Sequence, residues 1–282
     1  FLPTYLIFLL LALSLIFAEG GRILVIPQDG SHWLSMRPVV GKLQQNGHEV
    51  VVVVPSTSLY MTSKEPQNFT VKVFPIPYTE EHLVAVLRSF VNAHFLERSV
   101  FNIITLYQSV LEISSCFLTN CKSLLHNEDM MWYLRESKFD VVFTDPTIMC
   151  GPIIAEYLSV PSIYFLRGFP CGMDSEATQC PNPPSYVPRL FLNNSDSMTF
   201  AQRLSNTLGL MLEFVYCKPI FAQFEEFAYE IFQKKVTATD LLSRGSIWLM
   251  RYDFVFEFPR PVMPNMVFIG GINCDQKEKL SQ

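Results

Sequence analysis

The chain has 282 residues, of which 49% are hydrophobic and 17% charged, with a formal net charge of -5. It is therefore long enough to bury a large core. It carries no basic run, which argues against a nucleic-acid partner.

Residues 1–18 are uncharged and almost wholly apolar, and Ala18-Glu19-Gly20 offers small residues on the near side of a cleavage after Gly20. We read 1–20 as a secretory signal peptide rather than a retained anchor, because the run is at the short limit for a span. Past Gly21 no stretch reads as long and apolar enough to cross a bilayer.

Arg22-Ile23-Leu24-Val25-Ile26 is a short β-branched run closed by Pro27, the pattern of a strand buried on both faces. Gln28 to Ser31 is turn material, with Gly30 free to take positive φ. Met36, Val39, Val40 and Leu43 then recur at helical spacing, and Gly47 stops that helix. His48 to Pro55 is a second buried strand. Strand, helix and strand make a right-handed βαβ unit. His32 follows the carboxyl end of the first strand, the edge where open α/β sheets bind ligands. The plain alternative is a histidine that satisfies a nearby carbonyl.

A second segment repeats the design. Phe139 to Pro146 reads as a buried strand ending in a polar residue, Asp145, followed by a helix over Gly151–Leu158 and a strand over Pro161–Phe165. If both strands lie in one parallel sheet, His32 and Asp145 project from the same edge. An imidazole and a carboxylate there form a base held by an orienting acid.

Between these segments, Ser56 to Lys64 is a loop or short helix, and Val71 to Pro75 alternates as a strand. From Thr79 to Glu136 the period is helical. Leu83, Val86, Leu87, Phe90 and Val91 share one face, and Ile103, Leu106, Tyr107, Val110 and Leu111 another. We read both stripes as core, in an insertion long enough to wall a pocket. Phe169 to Pro188 reads as a long loop on the His32 edge. Thr199 to Phe232 is helical again, interrupted by Gly209 and Pro219. Its apolar set (Phe200, Leu204, Leu208, Met211, Leu212, Val215) and its aromatic load suit either a core or a surface resting on a membrane. Ser246–Met250 and Met266–Gly271 are the last strands, joined through the extended Phe258-Pro259-Arg260-Pro261.

The seven cysteines contain no C-x-x-C pair, which argues against zinc. Cys171 and Cys180 are a possible local disulfide, and the odd count leaves at least one thiol free or paired elsewhere. Asn68-Phe69-Thr70 and Asn193-Asn194-Ser195 are N-glycosylation acceptors, at Asn68 and Asn193.

A dinucleotide-binding turn needs G-x-G-x-x-G, and Gln28-Asp29-Gly30-Ser31-His32 has one glycine. A serine hydrolase needs a nucleophile elbow, and no G-x-S-x-G occurs. Ser31 and His32 are adjacent, and sequence neighbours rarely reach each other's side chains.

Five blocks carry a resemblance. They are Ile-Pro-Gln-Asp-Gly-Ser-His-Trp-Leu-Ser-Met (26–36), Phe-Thr-Asp-Pro (143–146), Glu-Ala-Thr-Gln-Cys-Pro-Asn-Pro (176–183), Ser-Tyr-Val-Pro-Arg (185–189) and Pro-Arg-Pro-Val-Met-Pro-Asn-Met-Val-Phe-Ile-Gly-Gly-Ile-Asn-Cys (259–274). In order, and over essentially the whole chain, they resemble the amino-terminal half of the UDP-glucuronosyltransferases, family 1A type. The resemblance implies a Rossmann-like parallel sheet with flanking helices, the acceptor-binding N-terminal domain of a GT-B glycosyltransferase. It implies that domain over 21–275 and the start of an interdomain linker over 276–282, with the carboxyl-terminal donor domain absent. His32 matches the family's catalytic histidine and Asp145 its partner aspartate. The implied reaction transfers glucuronic acid from UDP-glucuronate to a hydroxyl of a small lipophilic acceptor, with inversion. Neither a metal nor a cofactor is expected, and UDP-glucuronate is bound mainly by the other half. The implied setting is the endoplasmic reticulum lumen, membrane-associated, in homo- or hetero-oligomers with related transferases. The rival reading is a non-catalytic acceptor-binding or interaction fragment of the same fold.

Overall fold

The computed structural model describes residues 20–61, 68–96, 100–168, 170–189, 192–253, 255–272 and 274. The signal-peptide reading of 1–20, Gly20 apart, and the linker reading of 276–282 lie outside the described residues.

The described residues form one seven-stranded sheet in the order β3-β2-β1-β4-β5-β6-β7, and every neighbouring pair is parallel. The strands are β1 (Arg22–Ile26), β2 (Glu49–Pro55), β3 (Thr70–Phe74), β4 (Val141–Thr144), β5 (Ser162–Leu166), β6 (Gly245–Met250) and β7 (Met266–Phe268). The β-branched runs are continuous because both faces are covered. Leu24, Ile26, Val51, Val53 and Val142 enter one core, and the alternating Ile23, Val25, Val50, Val52 and Phe143 enter another on the opposite face.

The helices are α1 (Ser31–Gln45), α2 (Glu80–His94), α3 (Val100–Leu125), α4 (Glu128–Glu136), α5 (Cys150–Leu158), α6 (Met173–Thr178), α7 (Phe200–Phe232) and α8 (Ala238–Leu242). Helix α1 lays Trp33, Met36 and Val40 on the second core and ends at Gly47, whose φ is +91°. The 79–136 insertion resolves into α2, α3 and α4, with Thr79 and Asn127 capping α2 and α4 through their side chains.

Four sequence expectations are corrected. The Ile103–Leu111 stripe is not core: Ile103 is 60% exposed and Leu106, Tyr107, Val110 and Leu111 are half-buried. The buried part of α3 lies further on, where Ile113 and Cys116 pack against α2 and Leu118, Cys121 and Leu124 pack into the sheet core. Phe101–Leu125 also meets the length and apolarity of a membrane span by composition alone. We read α3 as a wall helix, since that buried end is tied into the protein. The 169–188 segment is not all loop, for it holds a 3-10 turn (Pro170–Gly172) and α6.

The fourth correction concerns the cysteines. Cys171 pairs with Cys217 on α7, and Cys121 on α3 pairs with Cys150 at the start of α5. Cys180 is a buried free thiol. Helix α6 takes up the chain between Cys171 and Cys180 and leaves Cys171 against α7.

Candidate active site

The site is built from two strand ends held level. Ile26 of β1 and Thr144 of β4 are register partners, and the buried Thr144 hydroxyl donates to the Ile26 carbonyl at 2.7 Å. After β1 the chain turns through Gly30, with φ +80° and ψ -145°, a backbone region open almost only to glycine. Asp29 holds this turn in place. Its carboxylate accepts from the Gly30 N–H at 2.7 Å, and from those of Leu59 and Tyr60 at 2.6 and 3.1 Å. The turn that launches His32 is thus tied to the loop after β2.

His32, the second residue of α1, places Nδ1 2.6 Å from Oδ2 of Asp145. The other Asp145 oxygen accepts from the Thr147 N–H at 3.0 Å, a short turn closed over Pro146. The Asp145 carboxyl is fully buried, while the imidazole keeps 29% of its side-chain surface. Toward an ionised carboxylate, which can only accept, the neutral ring presents Nδ1–H and leaves the Nε2 lone pair open. The pair therefore leaves one imidazole nitrogen open, with the acid on the protein side.

Reading the sequence singled out neither Asp29 nor Arg251. Arg251 directly follows β6, and its N–H donates to the Leu166 carbonyl at 2.8 Å. Its guanidinium stacks over Phe165 at 5.4 Å. Burial lowers the Arg251 pKa, and the negative charge of Asp145 partly offsets this. The buried acid thus has a cation within electrostatic reach. A charged residue just past a buried strand was the available signal.

The segment expected to line the site is pinned rather than loose. Beyond the Cys171–Cys217 link, the Asn206 side chain of α7 donates to the Pro184 and Val187 carbonyls and accepts from the Arg189 N–H. Arg260, in the last connector, donates to buried Asp174 at 2.6 Å and to Ser175 at 3.0 Å. Asn68 and Asn193 are both exposed. Among the described residues no cluster of three or more His, Cys, Asp or Glu side chains could hold a metal ion.

A parallel sheet covered on both faces, with the His32–Asp145 pair at its carboxyl edge, defines an α/β domain of the kind whose ligands bind at that edge. The chain belongs to the UDP-glucoronosyl and UDP-glucosyl transferase family, which it matches over residues 21–282. Mouse UDP-glucuronosyltransferase 1A1 is 50% identical over 266 residues, covering 94% of this chain and 49% of the relative. Human UDP-glucuronosyltransferase 1A6 is 47% identical, covering 93% and 49%. The chain spans about half the length of the curated relatives it matches. The solved spinosyn forosaminyltransferase SpnP is 14% identical with a TM-score of 0.46, over 88% of this chain and 50% of its own.

Proposed function

We propose that this chain supplies the acceptor-binding half, in a GT-B arrangement, of an enzyme that moves glucuronic acid from UDP-glucuronate to a hydroxyl of a small lipophilic acceptor. The observation that carries the reading is the 2.6 Å His32–Asp145 pair in a chain of this family.

A phenol or alcohol is a weak nucleophile near neutral pH. The Nε2 lone pair of His32 takes the hydroxyl proton as the oxygen bonds to the anomeric carbon. The bond from that carbon to UDP breaks on the opposite side, UDP leaves with the electron pair, and the centre inverts. The imidazolium that forms lies against the buried Asp145 carboxylate, which stabilises it and keeps its own charge. Donors that neutralise the departing diphosphate would come from the other half of the enzyme.

We place the chain in the endoplasmic reticulum lumen, resting on the membrane and open to assembly with related transferases. Exposed Asn68 and Asn193 suit lumenal glycosylation, and the exposed apolar residues of α7 suit a membrane surface. The direct test joins this chain to a family carboxyl half and follows a phenol panel with UDP-glucuronate. Glucuronide formation that needs both halves supports the proposal. Acceptor binding without any turnover would favour the non-catalytic reading.

A further inference from the structure

A small cavity of about 50 Å³ lies at the carboxyl ends of β1, β2 and β3, under α3. Its floor is apolar, with Ile26, Val53 and Phe74 from the sheet and Phe117 and Leu124 from α3. A cavity of roughly 150 Å³ takes a benzene ring, so this one has room for a substituent and not for a whole acceptor. The Cys121–Cys150 disulfide also lines it and ties α3 to α5 across the wall. Its lining includes Pro27, Gln28 and Asp29, which precede His32 in the chain, and Ile148 and Cys150, which follow Asp145.

Four polar side chains line this space, Gln28, Asp29, Thr57 and Asn120; the Asp29 carboxylate is taken up by three backbone N–H groups, and the Thr57 hydroxyl donates to the Tyr78 carbonyl. Gln28 Oε1 is buried and has no hydrogen-bond donor among the described residues. Asn120 accepts the Tyr78 phenol hydrogen on Oδ1. Burial raises the Tyr78 pKa, so the phenol stays a neutral donor and that oxygen stays occupied. The polar group left to Asn120 is its NH₂. The cavity thus pairs an unclaimed acceptor with a donor, the complement of one hydroxyl, which both gives and takes a hydrogen bond. An apolar end group would leave the buried Gln28 carbonyl without a partner, which is costly.

We propose that Gln28, with Asn120, selects acceptors that carry a second hydroxyl remote from the one that is glucuronidated. This deepens the acceptor-half reading and rests on it. The transferred hydroxyl meets His32, and the remote one enters the cavity.

The test is calorimetric binding to this chain of two matched pairs, hydroquinone against phenol and dihydroxybiphenyl against hydroxybiphenyl. In at least one pair the diol should bind about three- to tenfold tighter, the effect of one net hydrogen bond. Gln28→Leu should bring that ratio to near one. Gln28→Glu, which keeps an acceptor oxygen at the same reach, should retain it, and circular dichroism confirms that each variant is folded. Equal affinity within both pairs for the parent chain, or a ratio that survives Gln28→Leu, overturns the selection by Gln28 and leaves the acceptor-half reading standing. No binding of any of the four compounds overturns both.

Discussion

His32 has one nitrogen committed to Asp145, and in the proposed reaction the other one takes the proton. In the completed enzyme, His32→Ala should lower kcat for phenols by on the order of 10²–10⁴, the usual worth of a general base. Asp145→Asn should lower it too, since the imidazolium loses its counter-charge. Tertiary amines lose no proton in the attack, so their turnover should fall less than that of phenols. Equal losses for both acceptor classes, with the fold intact, would make His32 a positioning group. Gly30 offers a cleaner probe of the turn itself. A Cβ there meets nothing within 4 Å, so Gly30→Ala tests the backbone alone. At φ +80° and ψ -145° it should cost about 1–3 kcal/mol of stability. Urea unfolding measures this, and an unchanged midpoint would show that the turn relaxes freely.

At the scale of elements, α7 is two helices in one. Cys217, Phe221, Phe224, Phe227 and Ala228 in its second half are buried. In its first half Phe200, Leu204, Leu208, Met211, Leu212 and Val215 are exposed, from 52% to 83%. The sequence offered a helical-spacing stripe from Phe200 to Val215 and an aromatic load along the helix, and neither could say which part was covered, because a stripe records amphipathicity and not its partner. We expect the first half to rest on lipid. Replacing Leu208, Met211, Leu212 and Val215 together with serine should reduce co-flotation of the chain with phospholipid vesicles, while the circular dichroism spectrum is kept. Undiminished flotation would move membrane contact elsewhere.

Across the whole molecule, the buried Arg189–Glu213 pair joins the segment after β5 to α7. Its atoms lie 3.7 Å apart, an ion pair too long for a hydrogen bond. Burial raises the Glu213 pKa against the attraction of Arg189, and lowers that of Arg189 against the attraction of Glu213. For both partners desolvation wins. An acid whose folded pKa lies above its unfolded one takes up a proton more readily when folded. Its contribution to stability is fully present below the unfolded pKa and is lost as pH rises through the folded one. Urea unfolding should therefore show the parent chain gaining stability relative to Glu213→Gln as pH falls from neutral into the acid range. A parallel pH dependence for both would assign the pair no linkage.

Most of the sheet was legible in the sequence. A parallel strand covered on both faces must be apolar at every position, and Ile23 to Ile26 and Val50 to Val54 carry that requirement in the open. The placement of His32 and Asp145 beyond two such strands was legible for the same reason, since Asp145 ends one apolar run and His32 follows the turn that ends the other. The rest depended on neighbours far along the chain. The partner of Cys171 lies 46 residues away, the loop that Asp29 clamps comes about 30 residues later, and Arg251 comes within reach of Asp145 only because β5 lies between β4 and β6. Such contacts leave no period in the sequence, because what sets them is which elements pack side by side and not the pattern within any one of them.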